Sequence, residues 1–485
     1  MKQENGIIIV GLGPGRADLI TRQVWQVLQA GRQVYVRTRR HPAVADLEND
    51  LGLTVQSFDQ LYDSAETFAE VYTQIVEQVL ELGRQGQVIY AVPGHPRMGE
   101  STVTAIEAAA TAQSIPCQIL AGVSFVEPCL SALGIDGLDG LQLHDAISLT
   151  DHAYPPARSD APLLLGQVYS RELAGELKLV LMMLYSETHQ VALVHAAGTE
   201  AQTIEWTPLY AIDRSQEIGH LTSLYVPPRS IPSSLEALAD TVAVLRSPEG
   251  CPWDREQTSQ SLRAGFLEEA AEVMEALDLG DEDLLREELG DLLFHIVIQA
   301  QIAWEAEAFS LSDVLEGIDS KLKRRHPHVW GDLNLANSDE VLLNWERLKA
   351  TEKKERGDND SLLDHIPPEL PALAQSQKIQ TRVGQVGFDW DEIAGVHAKL
   401  VEELEELRVA STAQEQFDEI GDVFFALVNL ARWLDLDAES AAREANLRFA
   451  RRFRKVESLA RQRAIEISEA NAASLLALWD EAKLA

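Results

Sequence analysis

Short apolar runs and amphipathic stretches alternate over the first part of the chain. Residues 7–10 (I-I-I-V) read as a buried strand. The glycine turn Gly11-Leu12-Gly13-Pro14-Gly15 follows, then a helix predicted over about 18–30 and a second strand over 34–36. The alternation continues with a helix over 65–85, a strand over 87–92 and the turn Pro93-Gly94-His95-Pro96. A helix over 101–113, a strand over 117–120 and the turn Gly122-Val123-Ser124 come next. Strands alternating with helices predict an α/β unit. Turns that follow strands lie where open α/β sheets bind ligands, and glycine lets backbone approach a cofactor closely. The spacing Gly11-x-Gly13-x-Gly15 departs from the dinucleotide pattern G-x-G-x-x-G, and no Walker A sequence occurs.

The segment Pro227-Pro228-Arg229-Ser230-Ile231-Pro232-Ser233-Ser234 can continue neither a helix nor a central strand. Beyond it the strand signals disappear and almost everything has helical periodicity. Ser234 is a candidate N-cap for a helix over 235–246. A loop over 247–254 carries C-P-W-D; Cys251 there lacks a nearby histidine base and reads as structural, and Trp253 could stack on a base or wedge the loop against the core, with packing the favoured reading.

From Phe266 the pattern changes the picture. Phe266, Ala270, Val273 and Leu277 mark one apolar helical face, and Leu285, Leu289, Leu292, Leu293 and Ile296 mark another. A short polar connection over 278–283 makes the two helices antiparallel neighbours. Carboxylates sit among these apolar positions: Glu269 and Glu272 share one side of the first helix, and Glu288 and Asp291 repeat the spacing on the second. Acids facing one another next to leucines are costly unless a cation neutralises them. An all-oxygen set suits magnesium or manganese better than zinc, since no cysteine or second histidine is at hand.

A single acidic i, i+3 pair on a helix is ordinarily a solvated face; repetition changes that reading. E-E-L-E-E-L from Glu402 and E-I-G-D-V-F-F-A from Glu419 restate the order, placing Glu403, Glu406, Glu419 and Asp422 as the second set. Other features recur in step. Gly387-Phe388-Asp389-Trp390 echoes C-P-W-D, and the basic helix with Arg448, Arg451 and Arg452 echoes Lys321, Arg324 and Arg325. Trp479 and Lys483 echo Trp345 and Lys349. The order of recurrence marks an internal duplication, and local basic clusters in so acidic a chain suit a triphosphate. His326 and His328 lack the further ligands of a zinc site.

Composition narrows the function classes. The 485 residues suit about three domains, and the formal charge of −36, from 41 Lys+Arg against 77 Asp+Glu, argues against wrapping a nucleic acid polymer. A small phosphorylated substrate brought in by a metal ion remains open. Three cysteines without ligand spacing, no leader pattern and no long apolar run give the expectation of a cytoplasmic protein without a membrane span.

The turns at 11–15, 93–96 and 122–124, with G-Q-V-Y-S-R from Gly166 and V-H-A-A-G-T from Val194, resemble the tetrapyrrole methylase family over about residues 5–226. The resemblance implies two α/β subdomains with S-adenosylmethionine in the cleft between them. Its cofactor-binding residues would be Gly11, Gly13, Pro14, Gly15, Pro93, Gly94, His95, Pro96, Gly122, Val123 and Ser124. His95 stands where many such methylases have aspartate.

Residues 236–485 resemble the MazG family of nucleoside triphosphate pyrophosphohydrolases through the doubled E-E-x-x-E and E-x-x-D motifs, C-P-W-D and R-R-H-P-H-V. That resemblance implies an all-α fold, homodimerisation and magnesium-dependent hydrolysis of NTPs or dNTPs to monophosphate and pyrophosphate. The metal ligands it implies are Glu269, Glu272, Glu288 and Asp291, with Glu403, Glu406, Glu419 and Asp422 in the second copy. Lys321, Arg325, Trp345, Lys349, Arg448, Arg452, Trp479 and Lys483 would meet the nucleotide. Family members can place a lysine shortly before E-x-x-D, where this chain has Glu415.

The expected organisation is a methylase-like α/β domain over 1–226, a linker over 227–235, a first helical MazG domain over 236–356, a linker over 357–371 and a second MazG domain over 372–485. An S-adenosylmethionine-dependent tetrapyrrole methyltransferase with the helical half as accessory is the alternative function. A module in which the carboxylates hold a purely structural cation is a further one.

Overall fold

The computed structural model of the protein describes residues 5–484 except 31, 66, 339, 342, 343, 346, 349–360, 365 and 469. Packing separates the chain into two units, before and after the Gln257–Thr258 bond. The division drawn from composition at 227–235 differs from this by the intervening helical segment.

Strands β1 (Gly6–Gly11), β2 (Gln33–Val36), β3 (Val55–Ser57), β4 (Gln87–Val92) and β5 (Cys117–Leu120) form one sheet ordered β3-β2-β4-β1-β5, with every pairing parallel. β1 is buried along its whole length, as a near-continuous apolar run in the middle of a parallel sheet must be. Helices α1 (Arg22–Gln29) and α2 (Ala43–Leu51) cover one face against Ile8, Val10, Val34 and Val36. Helices α3 (Asp59–Ser64), α4 (Phe68–Gln85) and α5 (Ser101–Ala112) lie on the other, where Ile75, Val79 and Ile106 meet Ile7, Ile9 and Tyr90.

Two helices begin later than their periodicity predicts. Thr21 takes the N-cap of α1 and accepts from the Val24 amide, so the segment before it is only a 3-10 turn. Thr67 caps α4 in the same way, which separates it from α3. In both cases a local side-chain bond outcompetes the helix.

The second sheet holds β6 (Gln142–Asp145), β7 (Leu163–Gly166), β8 (Gln190–His195), β9 (Thr203–Pro208) and β10 (Thr222–Val226) in the order β6-β7-β10-β8-β9; only β6 and β7 run parallel. Helix α6 (Val126–Leu133) packs on one face, while α7 (Ala146–Thr150) and α8 (Arg171–Leu181) pack on the other.

A buried ion pair braces the carboxyl ends of β2 and β4. Arg37 bonds Glu100, and its remaining nitrogens donate to the Tyr62 hydroxyl at 2.9 Å and the Tyr72 hydroxyl at 3.2 Å. Arg37 and Glu100 were not singled out by any motif.

The proline-rich linker is tied down. Arg229 N–H donates to Ser159 O at 2.8 Å, Ser233 and Ser159 hydroxyls meet at 2.7 Å, and Ser234 donates to Asp160 at 2.9 Å. Ser234 also caps α9 (Leu235–Arg246), as its position predicts. The C-P-W-D loop is partly helical, because Pro252 at a first helical position starts α10 (Pro252–Glu256). Trp253 on it is 58% exposed, so its expected packing role does not hold.

The second unit is helical. α11 (Arg263–Leu279) and α12 (Glu282–Glu305) form the first helix pair, α13 (Leu311–Arg325) and α14 (Pro327–Trp330) follow, and α15 (Ala372–Gly384) opens the second repeat. α16 (Ile393–Val409) and α17 (Ala413–Trp433) form its helix pair, followed by α18 (Ala438–Gln462) and α19 (Ala472–Leu484). The turn between α11 and α12 uses Gly280 at φ 66°, then Asp281 as N-cap.

The apolar faces of these pairs are less covered than periodicity predicts. Leu277, Leu289, Leu293 and Ile296 are 54%, 49%, 41% and 41% exposed. A two-helix pair shares one seam, and these four side chains, away from it, stay partly in solvent.

Removing one partner of the brace leaves a buried charge behind. Glu100→Ala should therefore lower the stability of the α/β unit by about 3 kcal/mol, read as a shift of its urea midpoint, with Arg37→Leu/Glu100→Leu costing less than the single change.

Candidate metal centres

On α11, Glu269 and Glu272 lie one turn apart, and Glu288 sits on the first turns of α12 across the Gly280 turn. The antiparallel pairing brings one oxygen of each to within 4.8 Å of the others. Glu403, Glu406 and Glu419 make the same three-oxygen group on α16 and α17, again within 4.8 Å. Asp291 and Asp422 stand outside these groups, but their charges act on them, raising Glu269 and Glu419 respectively. The sequence therefore brings together three of four predicted acids in each repeat, with the fourth close by.

Electrostatics fits the donor set to a hard divalent cation. The carboxyls of Glu269, Glu288 and Glu419 are all pushed above the ordinary value, by desolvation first and then by the neighbouring acids. Glu419 Oε2 is buried without a hydrogen-bond partner. Oxygens that are close and mutually repelling, with Glu419 Oε2 among them lacking a donor, are what a cation would satisfy.

The two groups differ in what stands beside them, and sequence reasoning missed both neighbours. The Lys399 ammonium lies 2.7 Å from Glu403 and 2.8 Å from Glu402. In the first repeat His295 is buried with Nε2 3.9 Å from Glu269 Oε1. Both were legible: Lys399 precedes Glu403 by one helical turn, and His295 lies two turns beyond Glu288 on the same face. Glu415 is used for capping: its carboxylate accepts from Ser411 N–H at 2.8 Å and Thr412 N–H at 2.9 Å, completing the capping box of α17.

The predicted nucleotide-contacting residues are carried by other helices. Lys321 and Arg325 are half-buried on α13, and Arg448 and Arg452 are exposed on α18. Trp345 stands edge-on to His326 at 4.9 Å; Trp479 packs on Phe449 at 5.0 Å, with the Lys483 ammonium 6.0 Å from its ring. Each tryptophan thus lies beside its repeat's basic helix. Lys349 lies outside the described residues.

In the α/β unit the three turns meet at the carboxyl ends of β1, β4 and β5. Gly13 and Gly94 form a two-way bridge, with N–H to O distances of 2.7 and 3.2 Å, and the His41 ring donates to Gly13 O at 2.9 Å. A Cβ on Gly11 or Gly122 would stand 2.4 Å from Gly94 O, so these glycines serve loop-to-loop packing. Gly13, at φ +78°, and Gly94, at φ +63°, need glycine for their backbone, and only open space lies where a Gly94 Cβ would be. A Cβ on Gly15, beside Pro14, would meet Thr199 of V-H-A-A-G-T at 2.4 Å. Pro93 and Pro96 frame the second turn, where His95 Nδ1 accepts from Arg97 N–H at 3.0 Å. Ser124, after Val123, donates through both N–H and hydroxyl to Glu127.

A parallel-sheet α/β unit with three converging glycine turns, joined to helix pairs bearing carboxylate triads, defines a two-part class. Its parts match the family Tetrapyrrole (Corrin/Porphyrin) Methylases over residues 6–213 and the MazG nucleotide pyrophosphohydrolase domain over residues 257–330. A relative in Bacillus subtilis (strain 168), YabN, is 36% identical over 485 residues, 98% of each chain. The nucleoside triphosphate pyrophosphohydrolase/pyrophosphatase MazG of Thermotoga maritima is 42% identical over 248 residues, 51% of this chain and 95% of its own. The nucleoside triphosphate pyrophosphohydrolase of Escherichia coli (strain K12) is 43% identical over 257 residues, 52% of this chain and 97% of its own. The chain belongs to the MazG family, in the form that carries a tetrapyrrole methylase domain ahead of the helical half.

The raised carboxyls set the sign of a pH effect. The folded chain holds these protons more tightly than the unfolded chain, so their contribution to stability falls as pH rises from the ordinary value of 4.5 through the raised one, and the full repulsion persists above it. Without divalent cation, Glu288→Gln/Glu419→Gln should melt above wild type at pH 7, with the gap closing as pH falls through that interval. Magnesium should raise the melting temperature of wild type and leave the double variant nearly unmoved.

Proposed function

We propose that the helical half hydrolyses nucleoside triphosphates, NTP or dNTP, to nucleoside monophosphate and pyrophosphate, with magnesium or manganese as the cofactor. The observation that carries this reading is the three-carboxylate group built twice on antiparallel helix pairs. The names of the Thermotoga and Escherichia relatives support it. Glu269, Glu272 and Glu288, with Asp291 adjacent, would hold the ion in the first repeat, and Glu403, Glu406 and Glu419, with Asp422, in the second. A divalent ion bound there offsets charge on phosphate oxygens and acidifies a water.

The chain's own residues do the rest. Acids rigidly borne on two helices fix where the phosphates come to lie. Lys321 and Arg325, and Arg448 and Arg452, supply positive charge for them, and Trp345 and Trp479 offer an aromatic face for a base. The exposed leucines of α12 support a homodimer in which a second copy covers them. No helix among the described residues is long and apolar enough to cross a membrane, and we read the protein as cytoplasmic.

The open side of Gly94, at the carboxyl ends of a parallel sheet, favours a second, separate reading for the α/β unit: S-adenosylmethionine binding and methyl transfer. Isothermal calorimetry should then detect S-adenosylmethionine binding, and Gly94→Leu should remove it.

Full-length protein incubated with each common nucleotide and magnesium should release pyrophosphate and monophosphate. Glu288→Gln/Glu419→Gln should lose on the order of 100-fold in rate, and the two single variants apportion turnover between the repeats. Release of orthophosphate, or unaltered turnover in the double variant, contradicts the proposal.

A further inference from the structure

The two repeats keep the first acid of each triad in place by different means. Aligning Glu269 with Glu403 sets Gly265 against Lys399, and aligning Glu288 with Glu419 sets His295 against Ala426. In the first repeat the position one turn before the acid is empty and the partner helix supplies a ring. In the second, the partner helix supplies a buried methyl, Ala426 at 6% exposure, and the position one turn before the acid supplies an ammonium.

The first pair is mutually dependent. A Cβ on Gly265 would come 3.0 Å from His295 Cε1 and 3.3 Å from Nε2, so the ring occupies its site because residue 265 has no side chain. His295 is 7% exposed and is held edge-on by Phe266 at 6.0 Å and Phe294 at 5.8 Å. Its Nδ1 is buried with no hydrogen-bond partner, and its Nε2 faces Glu269 Oε1 across 3.9 Å. A buried imidazole whose Nε2 faces one acid of the triad, and whose other nitrogen is unspent, is poorly explained by packing alone.

We propose that His295 is a positioning residue for the first cation site, that Gly265 is there to admit its ring, and that Lys399 performs the same task for Glu403 with Ala426 in the ring's place. An N–H on Nε2 faces the Glu269 carboxylate and holds it in the rotamer that joins Glu272 and Glu288; outer groups of this kind orient ligands without touching the ion. The inference rests on reading the triads as cation sites.

The test uses the full chain carrying Glu403→Gln and Glu419→Gln, which leaves one triad intact. Manganese binding is followed by the paramagnetic resonance of the free ion, and cation-free melting is recorded alongside. His295→Ala should weaken manganese binding by about tenfold, and His295→Gln, which retains an N–H donor, should recover most of it. Gly265→Ala should reproduce the His295→Ala loss, and adding it to His295→Ala should cost nothing more.

A purely packing role for His295 predicts lower melting for both His295 variants with manganese affinity unchanged. Affinity of His295→Ala within twofold of its background, or additive losses for Gly265→Ala and His295→Ala, overturns the inference. If the background protein itself takes up no manganese, the cation-site reading falls first and takes this inference with it.

Discussion

Like charges held close together on paired helices are the constraint on which the helical half turns. Antiparallel α11–α12 and α16–α17 each bring three carboxylate oxygens within 4.8 Å, where desolvation and then mutual repulsion lift Glu269, Glu288 and Glu419 above the ordinary carboxylate value. Helix pairs built only for stability would place leucine there. Both pairs accept the unfavourable arrangement, and they do so at corresponding positions. On the proposed reading a divalent cation would remove the strain, so that cation binding and stability would draw on the same interaction.

Much of this was legible in the chain itself. The i, i+3 spacing fixed which acids share a helix face, and the Gly280-Asp281 turn fixed the antiparallel return. β4 and β5 were legible to the residue, because each short, largely apolar run is bounded by turn residues. What escaped were competitions settled by one local bond, such as Thr21 and Thr67 taking caps inside predicted helices. The coverage of the apolar faces escaped as well: periodicity tells which side of a helix is apolar, and the presence of a layer against it is a tertiary matter. His295 and Lys399 went unremarked because each looks ordinary until the opposite helix is in place.

The glycines of the α/β unit carry a related lesson. Their motif suggests close approach to a cofactor, yet Gly11 and Gly122 are required by the carbonyl of Gly94, backbone against backbone. A residue type can be fixed by the packing of a site's walls as firmly as by its ligand. Glu415 is a similar case in the helical half, where the carboxylate is committed to the cap of α17.

The most direct test of the central claim is an anomalous-scattering map, at the manganese edge, of crystals grown with manganese. The account predicts a peak between Glu269, Glu272 and Glu288, and another between Glu403, Glu406 and Glu419. Maps without density at either triad, with those side chains turned apart toward solvent, would contradict it.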